Sequence, residues 1–358
     1  MKLIVFTGGG TAGHVFPNIA IINHLYQNNW FIHYIGTSNG PEHRIIEKWN
    51  IQHQYNIVFH SIRSGKYRRN LSLKNISDLL RIRKGYKESL SLLSTIQPLL
   101  LFSKGGFVSV PPSYAAHKLG IPVLTHESDF SIGLANKLIN RVATKIYTSF
   151  PIQMKHSQYT GNPIRKELLQ GNAKKGLKYC GFTDKKPVIL VMGGSQGSVF
   201  INDLVKTSIP YLLCQYQIIH ITGSDQQYHV DDSCYKGIRF AEKELADLYA
   251  CADVIVGRAG ANSMFEGLYL QKPMILIPLP KKYSRGEQMK NAKYFEEKGL
   301  LQVLAQNSCT TERFIQSIQD AFESKTTIQQ RIQDFDLPDA NSILIKEIES
   351  FAQKSDPE

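Results

Sequence analysis

Short apolar runs rich in β-branched residues recur along the chain, and stretches with apolar positions three or four apart lie between them. Leu3–Phe6, Phe31–Ile35, Leu99–Phe102, Val123–Thr125 and Lys145–Thr148 form a first series of such runs. Val188–Met192, Gln217–Thr222, Asp253–Val256, Met274–Ile277 and Gln302–Leu304 form a second. Helical spacing predicts helices over Asn18–Gln27, Arg44–Trp49, Asn202–Ser208, Leu245–Ala250 and Gln288–Lys298. Strands alternating with helices predict an α/β fold of parallel sheets joined by right-handed crossovers. Each series opens on a strand that runs into a Gly-rich loop, "TGGGTAGH" after residues 1–6 and "GGSQG" after residues 188–192. The expected architecture is therefore two similar α/β halves. Gly and Pro interrupt the pattern in "TGNPIR", residues 160–165, which puts the boundary there. Asn341–Phe351 reads as a terminal helix beyond a break at Pro338.

Length agrees with two domains, since 358 residues exceed one ordinary core. Apolar and charged contents of 42% and 20% suit a globular chain. No run of 18 or more apolar residues predicts a membrane-spanning helix, and the strand-like start suggests no export signal. Five scattered cysteines without a Cys-x-x-Cys pair indicate neither a disulfide framework nor a zinc site, and reduced thiols are expected.

The net charge of +12 changes the picture because it is concentrated. From Ile62 to Lys87 nine Lys/Arg, among them Arg68, Arg69, Arg81 and Arg83, stand against one acid, Asp78. Ile76, Leu79, Leu80 and Arg83 follow helical spacing, so an apolar stripe beside a basic face is expected. That pattern attracts anionic lipid headgroups, at about 1 kcal/mol per Lys/Arg near a surface. The competing reading is an ordinary core-facing helix with a solvated basic face. Nucleic acid would want the same charge, but no nucleic-acid-binding motif is present.

A Gly-rich turn between strand and helix offers backbone N–H groups and the positive helix end to an anion. Gly8, Gly10 and Gly13 fit G-x-G-x-x-G, yet no acid follows the next strand until Glu42, which argues against a nicotinamide cofactor. His14-Val15 stands where a phosphate-cradling loop needs Lys-Ser/Thr, which argues against an NTPase. "SKGGFVSVPP" (103–112), "GGSQG" (193–197) and "GRAGANSMFEGL" (257–268) are loops of the same kind. All four would sit at the C-terminal edges of parallel sheets, where ligands bind, and are expected to serve one cleft.

Seven segments together carry a family resemblance: "TGGGTAGHVFPN" (7–18), "FSKGGFVSVPP" (102–112), "HESDFSIGLANK" (126–137), "GNPIR" (161–165), "VMGGSQGS" (191–198), "GRAGANSMFE" (257–266) and "SRGEQMKNA" (284–292). In order and spacing the chain resembles the MurG family of GT-B glycosyltransferases over roughly residues 2–305, in the shorter branch of that family. The resemblance implies two Rossmann-like domains facing across a cleft. Residues 1–160 would bind acceptor and membrane, 161–335 the UDP-sugar, and 336–358 would pack back on the N-terminal domain. It implies an inverting transfer of N-acetylglucosamine from UDP-N-acetylglucosamine to the 4-hydroxyl of undecaprenyl-pyrophosphoryl-N-acetylmuramoyl-pentapeptide. That step serves peptidoglycan synthesis, and through it cell shape and division. The location implied is peripheral, on the cytoplasmic face of the bacterial membrane, with wall-synthesis enzymes as partners.

Residue roles follow from the resemblance. Ser195 and Gln196 would face the donor diphosphate, with Arg165 as a permanent cation nearby. Glu266 would accept from the ribose hydroxyls, and Gln288 would bind sugar hydroxyls. Ala261, Asn262 and Ser263 open a helix whose amides favour anions, Ala241 would bind uracil through its backbone, and Thr11, Ala12 and Gly13 would also meet the donor. The acceptor pyrophosphate would rest on Gly9, Gly10, Lys104, Gly105 and Gly106. Arg68, Arg69, Ile76, Leu79, Leu80, Arg81 and Arg83 would touch the membrane. One base must take the proton from the attacking hydroxyl; His14 suits the task, and His126, Glu127 and Asp129 compete for it or serve only to satisfy loop amides. The longer branch has Asn where Asp129 stands and Gly where Ala12 stands, and an Asp cannot donate as an amide does. Asp231-Asp232 lack the Asp-x-Asp spacing of metal-dependent relatives, so neither a metal nor another cofactor is expected, and helix N-termini with Arg165 would stabilise the leaving UDP. Two alternatives remain: a GT-B transferase with another lipid acceptor, and a nucleotide-sugar-binding scaffold without turnover.

Overall fold

A computed structural model describes residues 2–65, 74–194, 196–223 and 230–353, with the backbone alone for 74–76. The chain divides into two compact units, Met1–Ile164 with Pro338–Glu358, and Arg165–Leu337.

Unit 1 is built on seven parallel strands in the order β3-β2-β1-β4-β5-β6-β7. They are β1 Leu3–Thr7, β2 Phe31–Gly36, β3 Val58–Ser61, β4 Leu100–Ser103, β5 Val123–Glu127, β6 Lys145–Thr148 and β7 Ser157–Tyr159. Strand alternation sends Ile4 and Phe6 to one face and Val5 to the other. On the first face they meet α1 (Phe16–Gln27) through Ile19 and Ile22, and a last helix, α13 (Ala340–Gln353), through Leu344, Ile345, Ile348 and Ala352. On the second, Leu93 of α3 (Lys74–Ile96) and Ala115 and Ala116 of α4 (Val110–Lys118) close the core. The sheet is thus buried on both sides, which is why its strands read as near-continuous apolar runs. α2 (Pro41–His53) and α5 (Leu134–Ile139) complete the unit.

Unit 2 repeats the plan with six parallel strands, β10-β9-β8-β11-β12-β13. These are β8 Val188–Met192, β9 Gln217–Ile221, β10 Tyr235–Ile238, β11 Val254–Gly257, β12 Met274–Leu276 and β13 Gln302–Val303. The helices are α6 Ala173–Cys180, α7 Val199–Leu212, α8 Leu245–Cys251, α9 Ala261–Tyr269, α10 Glu287–Glu296, α11 Thr311–Glu323 and α12 Lys325–Asp334. Ile189 and Val191 pack on Ile201, Leu204 and Val205 of α7 and on Phe314 and Ile318 of α11. Side-chain oxygens of Ser198 and Thr310 cap α7 and α11.

The predicted strands and helices are present with boundaries moved by a few residues, and three strands are additional. β3 (VFHS), β7 (SQY) and β10 (YKGI) lie at sheet edges, where one neighbour suffices and few apolar residues are needed.

Strand order positions the loops. In each sheet the order reverses once, between β1 and β4 and between β8 and β11. The loops that flank these two reversals are the four Gly-rich ones, after Thr7, Ser103, Met192 and Gly257. A reversal opens a crevice at the carboxyl ends of the strands, and ligands bind there.

Candidate active site

In unit 1 the first loop leaves β1 at Gly8 and reaches a short 3-10 turn, Ala12–His14. The loop is shaped by Glu42, the acid that matched no ribose-binding position. Its carboxylate is fully buried and accepts from Gly10 N (3.1 Å), Thr37 N (2.9 Å) and Thr37 Oγ1 (2.6 Å). A side chain on Gly9 would strike this carboxylate, with a Cβ at 2.6 Å from its carbon. The second loop lies directly against the first: a Cβ on Gly106 would fall 2.3 Å from Gly9 O, and Gly106 takes φ +83°. His14 ends the 3-10 turn, half-exposed, with Nδ1 3.0 Å from Thr11 Oγ1. If His14 Nδ1–H donates to the hydroxyl, Nε2 carries the lone pair of a base; if the hydroxyl donates, Nε2 carries a proton.

Three donors expected at the acceptor pyrophosphate have other partners. Gly10 N–H goes to Glu42, and Gly105 N–H goes to Ser103 Oγ at 3.2 Å. Lys104, expected to offer its charge outward, is 1% exposed. Its Nζ donates to His126 Nδ1, to Ser128 Oγ (2.7 Å) and to Asn162 Oδ1 (3.1 Å). Burial holds the ammonium down to about 7, against the pull of Glu127 and Asp129.

His126 and Glu127 take structural positions for the same reason. His126 Nε2 donates to Gly161 O (2.9 Å), since a carbonyl only accepts, so Nδ1 is the acceptor for Lys104. The ring is fully buried, and burial with the adjacent ammonium lowers its pKa well below the usual value. His126 therefore stays neutral with both nitrogens engaged and is removed as a candidate base. The Glu127 carboxylate accepts from Asp129 N (3.0 Å), Gly133 N (2.8 Å) and Asn136 Nδ2 (3.0 Å), holding its own loop. Asp129 is half-exposed at the tip of that loop.

In unit 2, Arg165 and Glu266 meet each other, Arg165 Nη2 lying 3.5 Å from Glu266 Oε1. The second oxygen of Glu266 accepts from Tyr249 OH at 3.0 Å. Burial and the carboxylate push that phenol well above its ordinary pKa, so it stays a donor. Glu266 thus has a set orientation on α9, whose first turn comprises Ala261, Asn262 and Ser263 behind Gly260. The first amides of a helix have no intrahelical acceptor. The side-chain carbonyl of Gln288 accepts from Leu279 N at 3.0 Å, which turns its amide N–H2 to the other side. Gln196 is exposed in the loop after β8, and Ala241 is half-exposed before α8. Ser195 lies outside the described residues.

Four residues that organise these loops were not among the expected site residues: Glu42, Asn162, Tyr249 and Arg258. Arg258 follows β11 and donates to Ser198 Oγ (2.6 Å), Ile277 O (3.0 Å) and Gln306 Oε1 (2.8 Å). Burial lowers it to about 10, which keeps it a cation at neutral pH. Its position directly after a strand, inside "GRAG", is the one local cue to that role in the sequence.

The basic segment resolves in part. Arg68 and Arg69 lie outside the described residues, as does the side chain of Ile76. Leu79 and Leu80 are 65% and 58% exposed, so they do not face the core. Arg81 and Arg83 are exposed beside them, with Arg81 3.9 Å from Asp78. The inward face of α3 is made by Asp78, Gly85, Ser89 and Leu93. Among the described residues no helix is long and apolar enough to cross a membrane, and no three His, Cys, Asp or Glu gather as metal ligands.

Residues 4–148 match the glycosyltransferase family 28 N-terminal domain, and residues 188–344 match the C-terminal domain of the same family. A Bacillus cereus protein named UDP-N-acetylglucosamine–N-acetylmuramyl-(pentapeptide) pyrophosphoryl-undecaprenol N-acetylglucosamine transferase 2 is 43% identical over 97% of this chain and 99% of its own. A Lachnoclostridium phytofermentans transferase of the same name, without the number, is 42% identical over 99% of this chain and 100% of its own. Among solved structures, the crystal structure of Acinetobacter baumannii MurG superposes with TM-score 0.76 at 24% identity, covering 98% of this chain and 100% of that one. A UDP-GlcNAc 2-epimerase from Neisseria meningitidis superposes with TM-score 0.65 at 14% identity, covering 99% and 100%. At these identities the two structures speak for the fold alone, two parallel-sheet domains of GT-B type.

Proposed function

The chain belongs to glycosyltransferase family 28, and from that premise we propose that it moves N-acetylglucosamine from UDP-N-acetylglucosamine to undecaprenyl-pyrophosphoryl-N-acetylmuramoyl-pentapeptide. The step belongs to peptidoglycan synthesis. One observation carries this reading: 43% identity over 97% of the chain, hence across both units, with a protein named for that transfer.

The chemistry is a single displacement. The acceptor's 4-hydroxyl oxygen attacks the anomeric carbon, the bond from that carbon to the UDP oxygen breaks, and the hydroxyl proton goes to a base. His14, in the tautomer that donates Nδ1–H to Thr11 Oγ1, presents Nε2 for that proton. Asp129 is the remaining alternative base, and Glu127 serves it by shaping the loop. Unit 2 binds the donor. Amides at Ala261, Asn262 and Ser263, with Ser195 and Gln196, face the diphosphate and stabilise charge as UDP leaves. Arg165 adds a cation there, and Glu266, oriented by Tyr249, accepts from the ribose hydroxyls. Gln288 donates its amide to a sugar hydroxyl. Ala241 receives the uracil through its backbone. On unit 1, Thr11, Ala12 and Gly13 meet the donor's sugar end, and Gly9 and Gly106 line the acceptor side. The exposed Leu79 and Leu80 with Arg81 and Arg83 rest on an anionic bilayer, which makes the enzyme peripheral at the cytoplasmic face, close to other wall-building enzymes.

UDP release from UDP-N-acetylglucosamine, measured with and without a soluble muramoyl-pyrophosphoryl-lipid analogue, tests the reading. Release that requires the acceptor is expected, with a loss of about a hundredfold or more in His14→Ala. Acceptor-dependent release that survives in the variant moves the base to Asp129. No release with any acceptor ends the transferase reading.

A further inference from the structure

A buried ammonium needs three acceptors, since each unshared N–H costs free energy in a dry interior. Among the described residues Lys104 has three: His126 Nδ1 at the end of β5, Ser128 Oγ in the next loop, and Asn162 Oδ1 beyond β7. The acceptors are themselves braced. His126 is held by Gly161 O, and Asn162 Oδ1 also accepts from Ser128 Oγ (3.2 Å) and Ser149 Oγ (3.1 Å). At its other end Lys104 is tied to β1, its backbone N–H donating to Thr7 O at 2.9 Å. The side chain therefore runs through the join between two loops that touch. A Cβ on Gly105 would meet Asn136 Oδ1 at 2.6 Å, and Asn136 Nδ2 holds Glu127.

We propose that Lys104 is a positioning residue of transfer: its buried ammonium fastens loop 104–106 to loop 126–129 and so sets where Asp129 and the Gly106 amide stand against the acceptor. The inference rests on the transferase reading for its function, but the fastening itself is independent of turnover. The ionisable groups around the ammonium are His126 on β5 and Glu127 and Asp129 in the following loop; its other partners, Ser128 and Asn162, are neutral. Loss of the proton removes one of the three N–H donors that make the join. The ammonium sits near pH 7, so the join loosens as the medium turns alkaline.

Three measurements on the full chain test this. Lys104→Met keeps the length and removes the charge; kcat should fall about a hundredfold, the scale of a misplaced reactive geometry, while the donor's dissociation constant changes less than about twofold. An acceptor KM that rises at unchanged kcat would instead make Lys104 a direct acceptor contact and overturn the proposal. Asn162→Asp places a carboxylate against the ammonium and should carry the falling alkaline limb of kcat to higher pH, which a merely structural lysine would not do. An unmoved limb overturns the proposal. Hydrogen exchange decides the fastening without any substrate: Lys104→Met should speed exchange at residues 126–133 and leave 193–198 unchanged. Unchanged exchange at 126–133 overturns it even if transfer is established, whereas absent turnover with accelerated exchange ends only the transferase reading.

Discussion

Three buried carboxylates show how partners, not residue type, decide a role. Glu42 and Glu127 each spend both oxygens on loop donors, while Glu266 is gripped by one phenol and one guanidinium on the helix that opens with Ala261, Asn262 and Ser263. The first two shape loops; the third remains suited to a ligand. The same accounting turns Lys104 inward. A lysine held near pH 7 when folded and near its ordinary value of 10.5 when unfolded binds fewer protons in the fold between those limits. Stability therefore rises with pH across that window and is lost as pH falls through about 7. Urea denaturation from pH 6 to 10 should show this slope in the wild type and a flatter one in Lys104→Met. Activity is expected to move the other way over the same range, which separates positioning from stability.

At the scale of elements, the informative units are the strand-to-helix loops and α3. Each Gly-rich loop acquires meaning from standing at a reversal of strand order, and its glycines answer to neighbours such as Glu42 and Asn136. α3 is set into unit 1 by close approach: a Cβ on Gly85 would fall 1.8 Å from Arg63 O. That seating turns Leu79 and Leu80 outward. Replacing both by Ser should weaken sedimentation with anionic vesicles, and reversing charge at Arg81 and Arg83 should weaken it by about thirtyfold or more, since two basic groups contribute about 1 kcal/mol each. Denaturation midpoints and UDP affinity should stay put, because exposed side chains contribute within about 0.5 kcal/mol. Vesicle binding equal to wild type would remove the membrane role from this helix.

At the scale of the whole molecule, the chain leaves unit 1 at Ile164 and returns to it at Pro338. The last helix supplies Leu344, Ile345, Ile348 and Ala352 to the first unit's core. Truncation after Leu337 should cost that unit at least about 5 kcal/mol, the scale of several deleted core side chains. UDP binding by unit 2 should persist in a calorimetric titration. Loss of both together would mean that unit 2 does not fold without the first.

The sequence by itself determined the α/β class, the two sheets and the four loops, because apolar periodicity and glycine-proline punctuation are local signals. It also carried the family, since seven motifs in order are specific where each alone is weak. It could not show the polar edge strands, whose stability comes from a neighbour rather than from their own residues. Nor could it show which donors remain for a ligand. Gly10 and Lys104 read as phosphate contacts until long-range partners at positions 42, 126, 128 and 162 claimed them, and Gly105 until the nearby Ser103 did. Hydrogen-bond partnership between residues distant in the chain is decided only when the strands are laid side by side, and that is where tertiary structure assigned the roles.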